Sequence, residues 1–153
     1  MPWIDEADLK QETILTILRA LPDWFGMPKA IDQYGKEGRG LPCYAAERNG
    51  ETVGFVSVKE TSECALEMHV LGVLPGSHRQ GVGRELVAAC EAYCNERKLS
   101  ILHVKTLDNQ ARDANYLKTY AFYRAMGFLP LEVLPLWDET NPCLLLVKSL
   151  LER

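Results

Sequence analysis

Leu71-Gly-Val-Leu-Pro-Gly-Ser-His-Arg-Gln-Gly-Val-Gly-Arg-Glu-Leu-Val87 decides the reading of this chain. An apolar, β-rich segment runs into Pro75. A short polar turn follows, with His78, Arg79 and Gln80, and Gly81-Val82-Gly83 then opens an amphipathic helix. This is the layout of an anion cradle. Glycine lets the backbone turn tightly and approach a phosphate. The N–H groups of a first helical turn lack intrahelical acceptors, and the helix dipole favours negative charge beside them. Arg79 and Arg84 flank the turn and can add charge-assisted bonds. Gly-x-Gly before a helix also occurs as plain punctuation, so the motif needs a companion.

The companion is Ala121-Phe-Tyr-Arg-Ala-Met-Gly-Phe128. Together the two clusters resemble the GNAT superfamily of N-acetyltransferases. In that family a strand ends in a hydrophobic-x-Pro step, here Val73-Leu74-Pro75. A Gln/Arg-x-x-Gly-x-Gly/Ala turn then holds the pyrophosphate of acetyl-CoA, here His78-Arg79-Gln80-Gly81-Val82-Gly83. A later helix carries a Tyr and ends in Gly-Phe, here Tyr123 and Gly127-Phe128. His78 departs from the family's Gln or Arg, and Arg79 supplies the charge one place later. The family's Asn ahead of the Tyr, which holds the pantetheine arm, falls on Tyr116, with Asn115 beside it. The resemblance covers roughly residues 40–150. It implies an α/β fold: a mixed, largely antiparallel twisted sheet flanked by helices, the GNAT-like acyl-CoA N-acyltransferase fold.

Bulk properties agree. The chain has 153 residues, the size of one domain, taken here as 1–153. Its 47% hydrophobic content supports a core, and 25% charged residues is ordinary. A net charge of −4 with no Lys/Arg run argues against nucleic acid and against an anionic membrane surface as partners. Met1-Pro-Trp-Ile-Asp-Glu6 does not read as a signal peptide, and no apolar segment is long enough to span a bilayer. A cytoplasmic location follows by default. The five cysteines, Cys43, Cys64, Cys90, Cys94 and Cys143, make no disulfide framework. Cys90 and Cys94 share a helix face as small buried hydrophobes, and no further ligands nearby suggest a metal.

Along the chain, residues 8–21 read as a helix with a stripe of Leu9, Ile14, Leu15, Ile17, Leu18 and Leu21, stopped by Pro22. A short helix follows Pro28 and ends in the Gly35–Gly40 run. Leu41–Glu47 and Thr52–Lys59 read as strands joined by an Asn49-Gly50 hairpin turn, with Cys64–Leu74 a third strand. Gly81–Arg97 is the clearest helix, with Val82, Leu86, Val87, Cys90, Tyr93 and Cys94 inside. Ile101–Leu107 is a strand, about 116–126 a helix, and Leu129–Leu136 and Pro142–Lys148 the last strands. The strand-helix-strand crossover implies one parallel pair in a mainly antiparallel sheet. The Gly-x-Gly-x-x-Gly pattern fails at Leu86, against a Rossmann fold.

Acetyl transfer to an amine needs a base, donors for the oxyanion and a proton for the thiolate. In the strand Glu67-Met-His-Val-Leu-Gly-Val73, residues Glu67, His69, Leu71 and Val73 share one side. The resemblance gives the amides of Leu71, Gly72 and Val73 to the pantetheine and thioester carbonyl. It makes Glu67 the first candidate base; its plain alternative is a solvated strand face. His69, with an imidazole suited to neutral pH, is second. Tyr123 is the general acid, its alternative being core packing among Tyr116, Tyr120 and Phe122. The acetyl-CoA contacts implied are Leu71, Gly72, Val73, Arg79, Gln80, Gly81, Val82, Gly83, Arg84 and Asn115. Trp24, Phe25, Tyr34 and Trp137, with Asp32, Asp138 and Glu139, could line an amine site or simply close the core and surface.

The expectation is therefore an acetyl-CoA-dependent N-acetyltransferase, without metal, acting on a primary amine by direct attack in a ternary complex. Its partners are acetyl-CoA and a small amine or peptide. Oligomeric state stays open, a homodimer being one option. The rival readings are a non-catalytic acyl-CoA-binding module and a phosphate- or nucleotide-binding α/β domain.

Overall fold

The computed structural model describes residues 3–21, 27–77, 80–107, 114–135 and 142–151. Its elements in chain order are α1 (Ala7–Arg19), α2 (Pro28–Gly38), β1 (Cys43–Arg48), β2 (Glu51–Glu60), β3 (Ala65–Val73), a 3-10 turn at Pro75–Ser77, α3 (Val82–Arg97), β4 (Ile101–Leu107), α4 (Ala114–Ala125), β5 (Leu129–Leu134) and β6 (Cys143–Ser149). The strands order as β1-β2-β3-β4-β6-β5. The β1–β2, β4–β6 and β5–β6 pairs are antiparallel, and β3–β4 is parallel. This is the mixed α/β sheet expected, and a doubly wound parallel sheet is ruled out. Contacts divide the chain into two compact units: 1–59 with 69–90, and 60–68 with 91–153.

The first unit holds α1, α2, β1, β2, the end of β3 and the start of α3. Ile14, Ile17, Leu18, Ile31, Cys43, Phe55 and Val70 form its core, with Leu15, Leu21, Tyr34 and Leu74 against it. Leu9 does not join the stripe and is 47% exposed. It lies five residues before Ile14, about 140° around the helix at ~100° per residue. The helix also stops at Arg19, short of Pro22, which lies outside the described residues. α2 runs through Gly35 to Gly38 because both glycines face α1, at Leu15 and Ile14. Asn49 and Gly50 turn with φ of 55° and 80°, the left-handed pair a two-residue hairpin needs.

In the second unit, Ala65–Met68 of β3 lies in parallel register with Ile101–Val104 of β4. β4 then pairs along its whole length with β6. β5 is the edge strand, and Leu129, Leu131 and Val133 are exposed on it. Cys94, Leu102, Phe128 and Leu146 are fully buried. Tyr93, expected inside, is half-buried, with the Arg97 guanidinium 4.6 Å over its ring. No described helix is long and apolar enough to cross a membrane.

The start of α3 rests on β2 through Gly54. A Cβ at Gly54 would stand 2.7 Å from Val82 Cγ1 and 3.2 Å from the Gly72 carbonyl oxygen. Val82 is fully buried and its branched side chain has little rotamer freedom. Gly54→Ala is expected to lower stability by about 1–3 kcal/mol, the usual cost of overpacking. Urea unfolding measures it, and an unchanged midpoint would contradict this packing.

Candidate active site

In the first unit β3 leads to the turn that opens α3. Leu74 N–H donates to Val53 O at 2.8 Å, Ser77 N–H to Leu74 O at 2.9 Å and Gln80 N–H to Ser77 O at 3.2 Å. His78 and Arg79 lie outside the described residues. Gly81 has φ +72°, and a Cβ there would meet nothing within 4 Å. The turn therefore needs glycine for its backbone while its outer side stays open. Glu85 N–H donates to Gly81 O at 3.0 Å, which makes Gly81 the cap residue of α3. By helix geometry the N–H groups of Val82, Gly83 and Arg84 have no intrahelical acceptor. Arg84 and Gln80 are exposed, and Val82 is buried beneath the turn.

A brace holds this helix start. Tyr44 Oη donates to Glu85 Oε2 at 2.8 Å, and Arg48 Nη1 donates to Glu85 Oε1 at 2.8 Å. Arg48 Nη2 also reaches the Gln80 carbonyl at 3.1 Å. Trp3 packs edge-on against Tyr44, with ring centroids 5.3 Å apart. Burial works against the Glu85 charge, but the Tyr44 and Arg48 bonds and the Arg48 charge outweigh it and hold the carboxyl below its usual range. Burial and the Glu85 carboxylate push the Tyr44 phenol up to about 12. Glu85 also places negative charge in the first turn of α3, where the dipole favours it.

On β3, Leu71 and Val73 are half-buried and Gly72 is buried. His69 precedes them on the same side of the strand. Its Nε2 lies 3.1 Å from Glu37 Oε2 of α2, and the Tyr34 ring meets it edge-on at 5.4 Å. Tyr34 thus sits on the β3 side of α2, while Asp32 is exposed and pairs with Arg19 at 3.4 Å.

In the second unit, Glu67 is not on a solvated strand face. It is 6% exposed, and Lys105 Nζ donates to its Oε2 at 2.6 Å. Glu67 aligns with His103 across the parallel pair, so Glu67, His103 and Lys105 share one side of the sheet. His103 Nε2 bonds Thr61 Oγ1 at 2.8 Å. Burial lowers the His103 pKa, and Lys105 adds to that while Glu67 opposes it.

Tyr123 is 4% exposed in α4, edge-on to Phe122 and to Phe128 at 5.4 Å each. Its carbonyl accepts from Phe128 N–H at 3.0 Å, which closes the helix end. Lys148 Nζ, 2.6 Å from both Met126 O and Glu91 Oε1, secures the same turn. The side chain of Asn115 and all of Trp24, Phe25, Trp137, Asp138 and Glu139 lie outside the described residues. Among the described residues no cluster of three or more His, Cys, Asp or Glu is placed to hold a metal ion. All five cysteines are free thiols, with Cys64 exposed and the others buried.

The brace of Tyr44, Arg48 and Glu85, and the partners Glu37 and Lys105, were not found from sequence. Each is joined across more than thirty positions of chain. The only local signal was an acidic residue in the first turn after Gly81.

The sequence model of the Acetyltransferase (GNAT) family matches residues 12–128. No curated protein matches the chain by sequence. Solved structures share its fold. An aminoglycoside 6'-acetyltransferase type Ii is 20% identical, with 100% of this chain and 99% of that chain covered and a TM-score of 0.76. An aminoglycoside 6'-N-acetyltransferase complexed with coenzyme A is 21% identical over 94% and 92%, with a TM-score of 0.71. Ard1 from Thermoplasma volcanium is 19% identical over 98% and 97%, with a TM-score of 0.71.

The brace makes stability depend on acid. A carboxyl whose folded pKa is depressed stabilises the fold above its unfolded pKa, and this is lost as pH falls through the folded value. Glu85→Gln is expected to lower the Tm at pH 7, with the gap to wild type narrowing below about pH 4, past the usual carboxylate range. Thermal unfolding of both proteins at pH 7 and pH 3.5 tests this. A gap that stays constant would contradict the ion-pair account.

Proposed function

We propose, for a chain that belongs to the GNAT acetyltransferase family, that it transfers the acetyl group of acetyl-CoA to a primary amine by direct attack in a ternary complex. The observation that carries this is the open Gly81 turn at the capped start of α3, directly after β3 and its Pro75 step. The pyrophosphate rests on the N–H groups of Val82, Gly83 and Arg84, where the helix dipole favours it. Arg84 adds charge from its exposed position, and Arg79 is the second cation assigned to the pyrophosphate. Gln80 lies beside them, and Asn115 holds the pantetheine arm. The amides of Leu71, Gly72 and Val73 meet the pantetheine and polarise the thioester carbonyl. These residues follow the four of β3 that are in register with β4.

The chemistry then divides between side chains. A base on the side of β3 that carries Glu67 and His69 takes a proton from the acceptor ammonium. The neutral amine forms the N–C bond, the C–S bond breaks, and Tyr123 protonates the departing thiolate. A phenol keeps its proton at neutral pH and suits that role. We read residues 1–153 as one acetyltransferase domain working in the cytoplasm, in keeping with five free thiols. A small amine or a peptide amine is the acceptor class.

Two variants test this reading, together with a panel of amines assayed by release of free CoA thiol. Gly83→Glu, in the first turn of α3, is expected to abolish acetyl-CoA binding in calorimetric titration while the fold survives, because its carboxylate would repel the pyrophosphate. Unchanged affinity in a folded variant would remove the cradle. Tyr123→Phe is expected to lower kcat by about 10²-fold, the lower end of general-acid effects, with the acetyl-CoA Kd kept. A wild-type kcat in that variant would leave Tyr123 to packing.

A further inference from the structure

The two candidate bases on β3 carry opposite partners. Glu67 accepts a bond from Lys105 Nζ at 2.6 Å, and that ammonium favours the ionised carboxylate. That bond occupies Glu67 Oε2, and the residue is only 6% exposed. His69 is paired instead with the Glu37 carboxylate, Nε2 to Oε2, at 3.1 Å. An anion beside an imidazole favours its protonated form. The partner of Glu67 weakens it as a base, and the partner of His69 strengthens it.

The geometry of the dyad is that of an oriented base. An ionised carboxylate only accepts, so Nε2 carries the proton toward Glu37 and the lone pair lies on Nδ1. The Tyr34 ring, edge-on at 5.4 Å, limits rotation of the imidazole from the same helix. His69 retains 18% side-chain exposure and Glu37 34%, so the pair is sheltered but reachable. Glu37 sits in the last turn of α2, where the helix dipole disfavours a carboxylate. A charged His69 opposite offsets that cost. Along β3, His69 stands two residues before Leu71, about 6.8 Å at the usual strand rise. The dyad, Leu71–Val73 and the Gly81 turn all belong to the first unit. Glu37 and Tyr34 of α2 both face His69. Two positions earlier on its own strand is Glu67, already held by Lys105.

We propose that His69 is the base that deprotonates the acceptor amine and that Glu37 is its positioning residue, a carboxylate–imidazole dyad joining α2 to β3. This rests on the acetyltransferase reading above. His69 Nδ1 accepts one proton of the acceptor ammonium and becomes imidazolium, its charge matched by Glu37. The amine nitrogen adds to the thioester carbonyl. When the C–S bond breaks, a second proton from that nitrogen ends on the thiolate by way of Tyr123. The imidazolium then returns its proton to solvent, so the balance is one amide, one thiol and one released proton.

The test compares wild type with His69→Gln, Glu37→Gln, Glu37→Asp and Glu67→Gln. The kcat/KM of each is measured against pH with an amine that the wild-type chain acetylates. In parallel, the His69 imidazole is titrated by NMR, its signals assigned by their loss in His69→Gln. His69→Gln is expected to erase the acidic limb and Glu67→Gln to keep it. Glu37→Gln is expected to move both the limb and the imidazole midpoint down by about one pH unit and to lower the plateau, with Glu37→Asp restoring most of each. A limb that survives in His69→Gln, or vanishes only in Glu67→Gln, overturns the base assignment. A limb lost in His69→Gln but unmoved in Glu37→Gln overturns the positioning role. A wild-type chain that releases no thiol with any amine refutes the underlying reading, and a midpoint that still moves in Glu37→Gln would then mark the dyad as an ion pair without catalytic use.

Discussion

The Arg48–Glu85 ion pair fixes where α3 begins, and the candidate cofactor site of the first unit depends on that point. One guanidinium bonds the Glu85 carboxylate and the Gln80 carbonyl, so it clamps both the last residue of the loop and the first turn of the helix. Gly54 lets Val82 settle on β2 beneath them. A helix start held on two sides keeps its N–H donors aimed in one direction. Donors fixed in advance cost no reorganisation when a phosphate arrives, which is the physical value of the brace. The surface it leaves open is the Gly81 turn itself.

β3 links this cradle to the chemistry. Its inward residues Leu66, Met68 and Val70 are buried and anchor the strand. Its other side carries Glu67, His69, Leu71 and Val73 in sequence, which sets the charged groups just before the residues whose amides are proposed to meet the thioester. Each charged group has a partner of opposite character from another element: Lys105 of β4 for Glu67, and Glu37 of α2 for His69. Burial makes such pairings obligatory for Glu67, since an unpaired buried carboxylate is costly. The pairings also give different surroundings to two residues that alternation alone treats as equals.

What was legible in the sequence was local. Gly81 and the Asn49-Gly50 turn were read from residue type because positive φ selects glycine and asparagine within a few positions. The parallel β3–β4 pair followed from the crossover helix between them. Tyr123 and Phe128 were marked by the family resemblance, and the structure packs the two rings together. What was not legible was long-range. Nothing near Glu85 in sequence announces Arg48 or Tyr44, and nothing near His69 announces Glu37. The solvated face imagined for Glu67 failed because β-alternation says which side a residue takes and not what covers that side. Leu9 failed for the opposite reason, since an apolar residue off the helical stripe is simply exposed.

The most direct measurement is an amide NMR titration of the intact chain with CoA and, separately, with pantetheine, which lacks the pyrophosphate. The account predicts that the backbone signals of Gly81, Val82, Gly83 and Arg84 move strongly with CoA and little with pantetheine, while Leu71 to Val73 respond to both. If CoA leaves the Gly81–Arg84 amides unmoved, or pantetheine shifts them as far as CoA does, the pyrophosphate does not rest on the start of α3 and the central claim is wrong.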